Sequence, residues 1–287
     1  MNGMEVRRLW QVAAQDRPRS KALAEACGIP PLVAQLLLLR RIDTPEAAHR
    51  FLRPVMGHLT DPFDLTDMAV AAARIAVARD RQERVLVFGD YDVDGVTSCA
   101  LLSNGLKRFG LTQVECGMPL RLSEGYGLSV DRVEDACARG ITLIITVDNG
   151  IKAHDAARRA KDLGVDLIIT DHHSIDGDLP DALAVINPKR EPEGYPGYYL
   201  SGAGVALKLC TALNGTVNDL DIAAIGTVAD IVPLIGENRV IVAMGLKHIA
   251  RHRRVGVAAH AQAAGIAEQD HRSDHIAVQL GPRLNAA

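Results

Sequence analysis

Three apolar runs in the sequence end directly in an aspartate: VLVFGD at Asp90, TLIITVD at Asp148 and DLIITD at Asp171. The first continues as Asp90-Tyr91-Asp92-Val93-Asp94-Gly95 and the third as Asp171-His172-His173. Carboxylates gathered in one place repel each other and shift their pKa values unless a cation sits among them. Carboxylates with imidazoles and no thiolate favour Mn²⁺ or Mg²⁺ over structural zinc, Mn²⁺ being the better match for histidine. A cluster of this size can hold two ions about 3.5 to 4 Å apart, the arrangement that activates water and stabilises both oxygens of an in-line phosphoryl displacement. The chemistry that follows is metal-assisted phosphoester hydrolysis.

Taken singly, each residue has a plainer reading. An aspartate after a strand is commonly a turn former or helix cap, and a lone His172 is commonly a satisfied polar residue. DYDVDG resembles the start of a calcium loop, but Leu101 stands at the twelfth position, where such a loop needs glutamate. The joint placement of these residues at strand ends is what favours ligands over caps.

For the acids to converge, the strands must be parallel neighbours. Short apolar runs at residues 85–88, 114–118, 142–147, 166–170 and 183–187 alternate with helix-like stretches at about 96–109, 130–138 and 153–163. That alternation predicts an α/β fold, a parallel sheet flanked by helices, whose ligands bind outside the carboxyl ends of the strands. Residues 1–80 read as a helical N-terminal leader, with a cap at Asp43-Thr44-Pro45-Glu46, and residues 81–287 as the catalytic domain. Further helical stretches follow a Gly/Pro/Tyr loop after Pro188.

The 287 residues, 48% apolar and 23% charged, exclude a disordered or collagen-like chain. Aromatic residues at 3% argue against a platform on which successive bases stack. A formal net charge of -3 does not by itself suggest nucleic acid. Two divalent cations would add about four positive charges and bring the total to roughly +1, so the loaded form is not hostile to DNA. Cys27, Cys99, Cys116, Cys137 and Cys210 are odd in number and widely spaced, which fits reduced thiols and a cytoplasmic location. No segment reaches the roughly 18 uninterrupted apolar residues of a membrane span, so no membrane is expected.

The ordered motifs GDYDVDGVTS (89–98), ITVDNGI (145–151), TDHH (170–173), INPKR (186–190), SGAGVALKL (201–209) and GTVADIVPLIGENR (226–239) resemble those of the DHH phosphoesterases. FLRPVMGHLTDPFDLTDM upstream and the final GPRLNAA are similar to the branch of single-strand-specific 5′ to 3′ DNA exonucleases. The resemblance runs from about Leu36 to the last residue. It implies a centre of two Mn²⁺ ions, with Mg²⁺ as the alternative. Asp92, Asp94, Asp148, His172 and Asp230 match its ligand positions, with Asp148 as the bridge and Asp90 as a further ligand or a partner of one. His173 is implied to face the scissile phosphate as a donor or acid, and Asp171 to orient the histidines. Without the resemblance, Asp230 reads as a helix-end aspartate.

Arg121 in MPLRLSEGYG stands where the family places an arginine near the DNA 5′ phosphate, and Arg283 resembles one that contacts the phosphate backbone; each has a bland alternative as a surface arginine. Gly202-Ala203-Gly204 lacks the spacing and terminal Lys-Ser/Thr of a P-loop, but N–H groups left open at a helix start there could contact a phosphate. Arg251-His252-Arg253-Arg254 reads as a solvated charge run.

Family members continue past GPRLNAA into a DHH-associated domain and an OB-fold domain, so the resemblance implies an N-terminal catalytic part, cut before both. The implied partner is single-stranded DNA, with a helicase and a single-strand binding protein beside it, and the implied full-length state is a monomer acting in recombination and repair. Two rival readings are a phosphodiesterase of short oligonucleotides or cyclic dinucleotides, and a non-catalytic scaffold of similar fold. Degenerate carboxylates would mark the scaffold, and here all are present.

Overall fold

The computed structural model of the chain describes residues 12–120, 125–251, 254–266 and 272–286. The chain divides after Pro54 into two compact units. Among the described residues the first carries three helices, α1 (Arg17–Cys27), α2 (Pro31–Leu39) and α3 (Pro45–Leu52). Asp16 and Thr44 cap α1 and α3 by accepting from the N–H groups of Arg19 and Ala47. Pro45 takes the first helical position, where its missing N–H removes no helix hydrogen bond. Leu23, Ala24, Ala34, Leu37 and Ala48 form the small core of this unit.

The second unit is built on five strands: β1 (Val85–Phe88), β2 (Val114–Gly117), β3 (Leu143–Val147), β4 (Asp166–Thr170) and β5 (Ala184–Ile186). They lie in the order β2-β1-β3-β4-β5, every pair parallel. All five fall within the runs expected from the sequence, and β1, β3, β4 and β5 do so because buried strands leave continuous apolar stretches; β2, at the edge of the sheet, is only partly buried. Helices α4 (Met68–Asp80), α5 (Val93–Phe109), α6 (Val130–Ala138) and α7 (His154–Asp162) accompany the strands. Four more follow: α8 (Gly202–Asn214), α9 (Leu220–Ala229), α10 (Gly236–Ile249) and α11 (Val255–Ala263). The described chain closes with short helical turns over Ser273–His275, Ile276–Leu280 and Gly281–Asn285.

Alternate residues of each strand serve opposite faces. Val85, Val87, Leu143, Ile145 and Ile168 join one core with residues of α4, α5, α8 and α9. Leu86, Phe88, Ile144, Leu167 and Ile169 join another with α6 and α7. A sheet covered on both faces leaves its strand ends as the place for a ligand. Connections leave β1 and β3 toward opposite sides of the sheet, so a crevice opens between their carboxyl ends.

The division after Pro54 differs from the leader boundary expected at residue 80. Residues from Val55 on, α4 included, lie with the sheet, and Met68, Ala71, Ile75 and Ala78 are fully buried in the core shared with β1 and β3. The alanine-rich sequence of α4 reads as a helix but does not reveal which surface that helix covers. The segment before α4 is also fastened from inside the fold. Lys208 of α8 donates to the carbonyl and hydroxyl of Thr60, at 2.7 and 2.8 Å, and pairs with Glu237 of α10 at 2.9 Å. Glu237 in turn accepts from the Thr60 hydroxyl at 2.6 Å. A buried ion pair persists only when such hydrogen bonds complete it.

Among the described residues no single helix is long and apolar enough to cross a membrane. The five cysteines are all free.

Candidate metal centre

Asp90 follows β1, Asp148 follows β3 and Asp171 follows β4, so the three acids expected at one edge of the sheet stand there together. Asp92 is the N-cap of α5, its carboxylate accepting from the N–H of Gly95 at 2.9 Å. Helix α5 thus begins at Val93, earlier than the sequence suggested, and Asp94 lies inside its first turn. Asp94 is buried, and both its oxygens are occupied: one accepts from Gly202 N–H at 2.6 Å and the other from Ala203 N–H at 2.9 Å. The positive end of α8 therefore holds this carboxylate in place.

That contact corrects the expectation for Gly202. Its N–H does not stand open to a phosphate, because Asp94 already accepts from it, and the N–H of Gly204 donates to Ser201. The requirement for glycine is steric: a Cβ at Gly202 would sit 2.6 Å from the Asp148 Cβ and 2.7 Å from its Oδ1. Gly202→Ala must therefore displace Asp148 or α8. The expected outcome is a loss of roughly ten- to a hundredfold in Mn²⁺ affinity by calorimetry, the range for shifted ligand supports; unchanged affinity would contradict this role.

Asp148 itself is 2% exposed and adopts a left-handed backbone, φ 60°. Such a conformation is uncommon outside glycine and is a form of local strain found at functional sites. Its Oδ1 lies 3.0 Å from His172 Nε2, which is also 3.6 Å from Asp230 Oδ2 and 3.8 Å from Asp94 Oδ2. Asp230 comes from elsewhere in the fold, at the C-cap of α9. Among the described residues, Asp148 Oδ1, His172 Nε2 and Asp230 Oδ2 are buried without a hydrogen-bond partner. Ligand atoms fall within 4.8 Å of one another in three sets: Asp90, Asp92 and Asp148; Asp94, His172 and Asp230; Asp148, His172 and His173.

The electrostatics have one cause. Burial pushes Asp94 up to about 7, with Asp230 and Asp92 adding to the rise and His172 opposing it. Burial, then Asp94 and Asp92, raise Asp148 well above the carboxylate range. Burial and Asp92 bring Asp230 up to about 6. Burial lowers His172, against the pull of Asp94. Several carboxylates face one another in a buried place, and Asp148 Oδ1, Asp230 Oδ2 and His172 Nε2 have no hydrogen-bond partner there among the described residues. A divalent cation satisfies both deficits, so the residues fit the metal expected from the sequence.

Asp171 is arranged differently. Burial alone would raise it, but its Oδ1 accepts from His173 Nδ1 at 2.7 Å and from the N–H groups of His172 and His173, and its Oδ2 accepts from Ile151 N–H at 2.9 Å. These bonds hold its carboxyl below the ordinary range. The bond from Asp171 in turn raises His173, against desolvation. A cavity of about 390 Å³ opens beside His173, lined also by Tyr126, Leu128, Ile151, Lys152 and Ser174.

Three supporting residues had no role in the sequence reading. Asn149 donates to the carbonyls of Phe88 and Val147 and so ties the ends of β1 and β3. Asn187 donates to the His173 carbonyl at 3.0 Å. Tyr126 donates to the Asp148 carbonyl at 3.0 Å. The only signals were that Asn149 adjoins Asp148, that Asn187 opens INPKR, and that Tyr126 lies between two glycines.

Arg121 lies outside the described residues. Arg283 is exposed and its guanidinium donates to the Gln279 carbonyl at 2.7 Å; its turn packs through Gly281 on Ala229, the residue before Asp230. Arg254, expected on a solvated face, is instead paired with Asp219 and Asp221 at 2.5 and 2.8 Å.

The profile of the DHH family, N-terminal domain, matches residues 84–232. The single-stranded-DNA-specific exonuclease RecJ of Bacillus subtilis is 43% identical over 279 residues, which cover 96% of this chain and 35% of that protein. Across the curated RecJ relatives it matches, the chain spans between 35% and 50% of their length. The crystal structure of RecJ from Thermus thermophilus in complex with Mn²⁺ superposes with a TM-score of 0.79 at 32% identity, over 94% of this chain and 39% of that one. The complex with Mg²⁺ from the same organism gives 0.66 at 28% identity, over 94% and 35%.

Proposed function

The chain belongs to the DHH family, and from that premise we propose that it is the metal-dependent nuclease part of a RecJ-type exonuclease, hydrolysing single-stranded DNA from its 5′ end in cytoplasmic recombination and repair. The observation that carries this reading is the convergence of Asp148 Oδ1 and Asp230 Oδ2 on His172 Nε2, at 3.0 and 3.6 Å, all three atoms buried and without a hydrogen-bond partner among the described residues. Three sets of side chains could each hold an ion, namely Asp90, Asp92 and Asp148; Asp94, His172 and Asp230; and Asp148, His172 and His173, and Asp148 is common to the first and the last. Two Mn²⁺ ions, or Mg²⁺ in their place, would supply Lewis-acid charge to a water and to the oxygens on phosphorus.

The chain's own residues do the rest. Asp171 keeps the His173 Nδ1 proton in place and turns the ring, leaving Nε2 for the substrate. With its pKa raised, His173 is suited to donate a proton to the leaving 3′ oxygen or to a phosphate oxygen. Arg121 and Arg283 are assigned to the 5′ phosphate and the strand backbone by their place in the motifs.

The full chain with Mn²⁺ should release 5′ mononucleotides from a long single strand, spare duplex and act poorly on dinucleotides. Hydrolysis of dinucleotides with the long strand untouched would favour the short-substrate phosphodiesterase. Absence of both cleavage and Mn²⁺ uptake by calorimetry would favour the scaffold.

A further inference from the structure

Tyr126 makes two contacts that no other described side chain combines. Its Oη lies 3.0 Å from the carbonyl oxygen of Asp148 and 3.3 Å from Nδ1 of His173, and its ring meets the His173 ring edge-on with centroids 5.8 Å apart. Gly125 and Gly127, at φ 78° and 79°, fold the chain sharply on either side of it. Residues carrying a Cβ adopt that conformation rarely, so the turn that aims the phenol is set by its two neighbours.

The proton count decides what the phenol does. It has one proton, and a carbonyl can only accept, so that proton goes to Asp148. Toward His173 the phenol oxygen can then only accept. Asp171 Oδ1, 2.7 Å from the same Nδ1, is also an acceptor. Two acceptors converge on one ring nitrogen, which must carry the proton whether the imidazole is neutral or cationic. The other end of the bond matters equally. Asp148 is in the left-handed region, and its N–H is engaged by the Thr170 carbonyl at 3.1 Å. Its own carbonyl is held by the phenol.

The geometry points to Tyr126 as a positioning residue that locks the main chain of Asp148 and the ring of His173 to each other, so that the ligand cluster and the proton donor keep one geometry. This rests on the nuclease reading for its effect on rate, but not for its effect on the imidazole.

The test is Tyr126→Phe in the full chain; the residue is 54% exposed and Phe keeps the ring, so folding is not at risk. In the metal-free protein, ¹⁵N-edited NMR of the His173 imidazole, assigned by its loss in His173→Gln, should show a proton on Nδ1. In Tyr126→Phe that proton should exchange with water about tenfold faster. With Mn²⁺ and a single strand, kcat should fall about tenfold or more at unchanged KM, the range for outer supports of a centre. In a His173→Ala background the same substitution should cost much less, because its principal partner is already gone. A His173 ring protonated on Nε2 alone, or an Nδ1 proton indifferent to Tyr126→Phe, overturns the inference, as do fully additive effects on kcat. A wild-type chain that cleaves no strand overturns the nuclease reading instead, and the NMR arm still decides the role of Tyr126.

Discussion

Asp148→Asn is expected to lower Mn²⁺-dependent cleavage of single-stranded DNA by about a thousandfold or more, about 4 kcal/mol of barrier, while raising the melting temperature of the metal-free protein. The two effects have one origin. Asp148 is shared between two of the ligand sets, so its loss depletes both. It is also buried beside Asp94, Asp92, Asp171 and Asp230, all of which oppose its ionisation. Asparagine keeps the shape and removes the cost of holding a carboxyl, ionised or protonated, in this buried acidic place, a cost that a bound cation would otherwise offset. A gain of about 1 kcal/mol, or a few degrees in Tm, is the expected scale. Nuclease assays and differential scanning calorimetry in EDTA check the two halves. Unchanged turnover would remove Asp148 from the centre, and a lower Tm would show that its carboxylate supports the metal-free fold.

The sheet was legible in the sequence because strands buried on both faces leave unbroken apolar runs, and their carboxyl ends must share an edge when all are parallel. Asp90, Asp148 and Asp171 could therefore be placed together by pattern alone. Asp230 could not. It reaches His172 from the C-cap of α9, and only the packing of helices after the sheet brings it there; the motif resemblance, not the residue's own context, singled it out. Gly202 was misread for a related reason. A glycine-rich helix start advertises free N–H groups, but no sequence pattern says that Asp94, more than a hundred positions earlier, accepts from them. Tyr126, Asn149 and Asn187 act through bonds to backbone carbonyls, which carry no residue signature at all. The compact units divide after Pro54 and not at residue 80, a difference the sequence does not show because α4 declares itself a helix without declaring its partner.

The pH dependence of this fold's stability should reverse sign when metal is bound. An ordinary carboxyl in the unfolded chain titrates near pH ~3.9. In the folded, metal-free chain Asp94 is pushed up to about 7 and Asp230 to about 6, by burial and then by neighbouring charge, and Asp148 is also raised. Between about pH 4 and 7 the folded state then holds more protons than the unfolded state, so their stabilising contribution is full below that window and is lost as pH rises through it. His172, lowered by burial, pulls the other way, since its stability cost appears on acidification; His173, raised by its bond to Asp171, adds to the loss at higher pH. The two imidazoles act in opposite directions, whereas the three carboxyls are all raised and together set the expected sign. Asp171, held low by hydrogen bonds, contributes above about pH 4 and fails only below it. Mn²⁺ needs the deprotonated ligands, so binding expels the shared protons and strengthens as pH rises. At a free concentration of 100 times Kd it adds about 2.7 kcal/mol. Melting curves in EDTA should fall from pH 5 to pH 8, while curves with excess Mn²⁺ should rise over the same range. Parallel curves would mean that the carboxylate cluster and the metal site are not the same place.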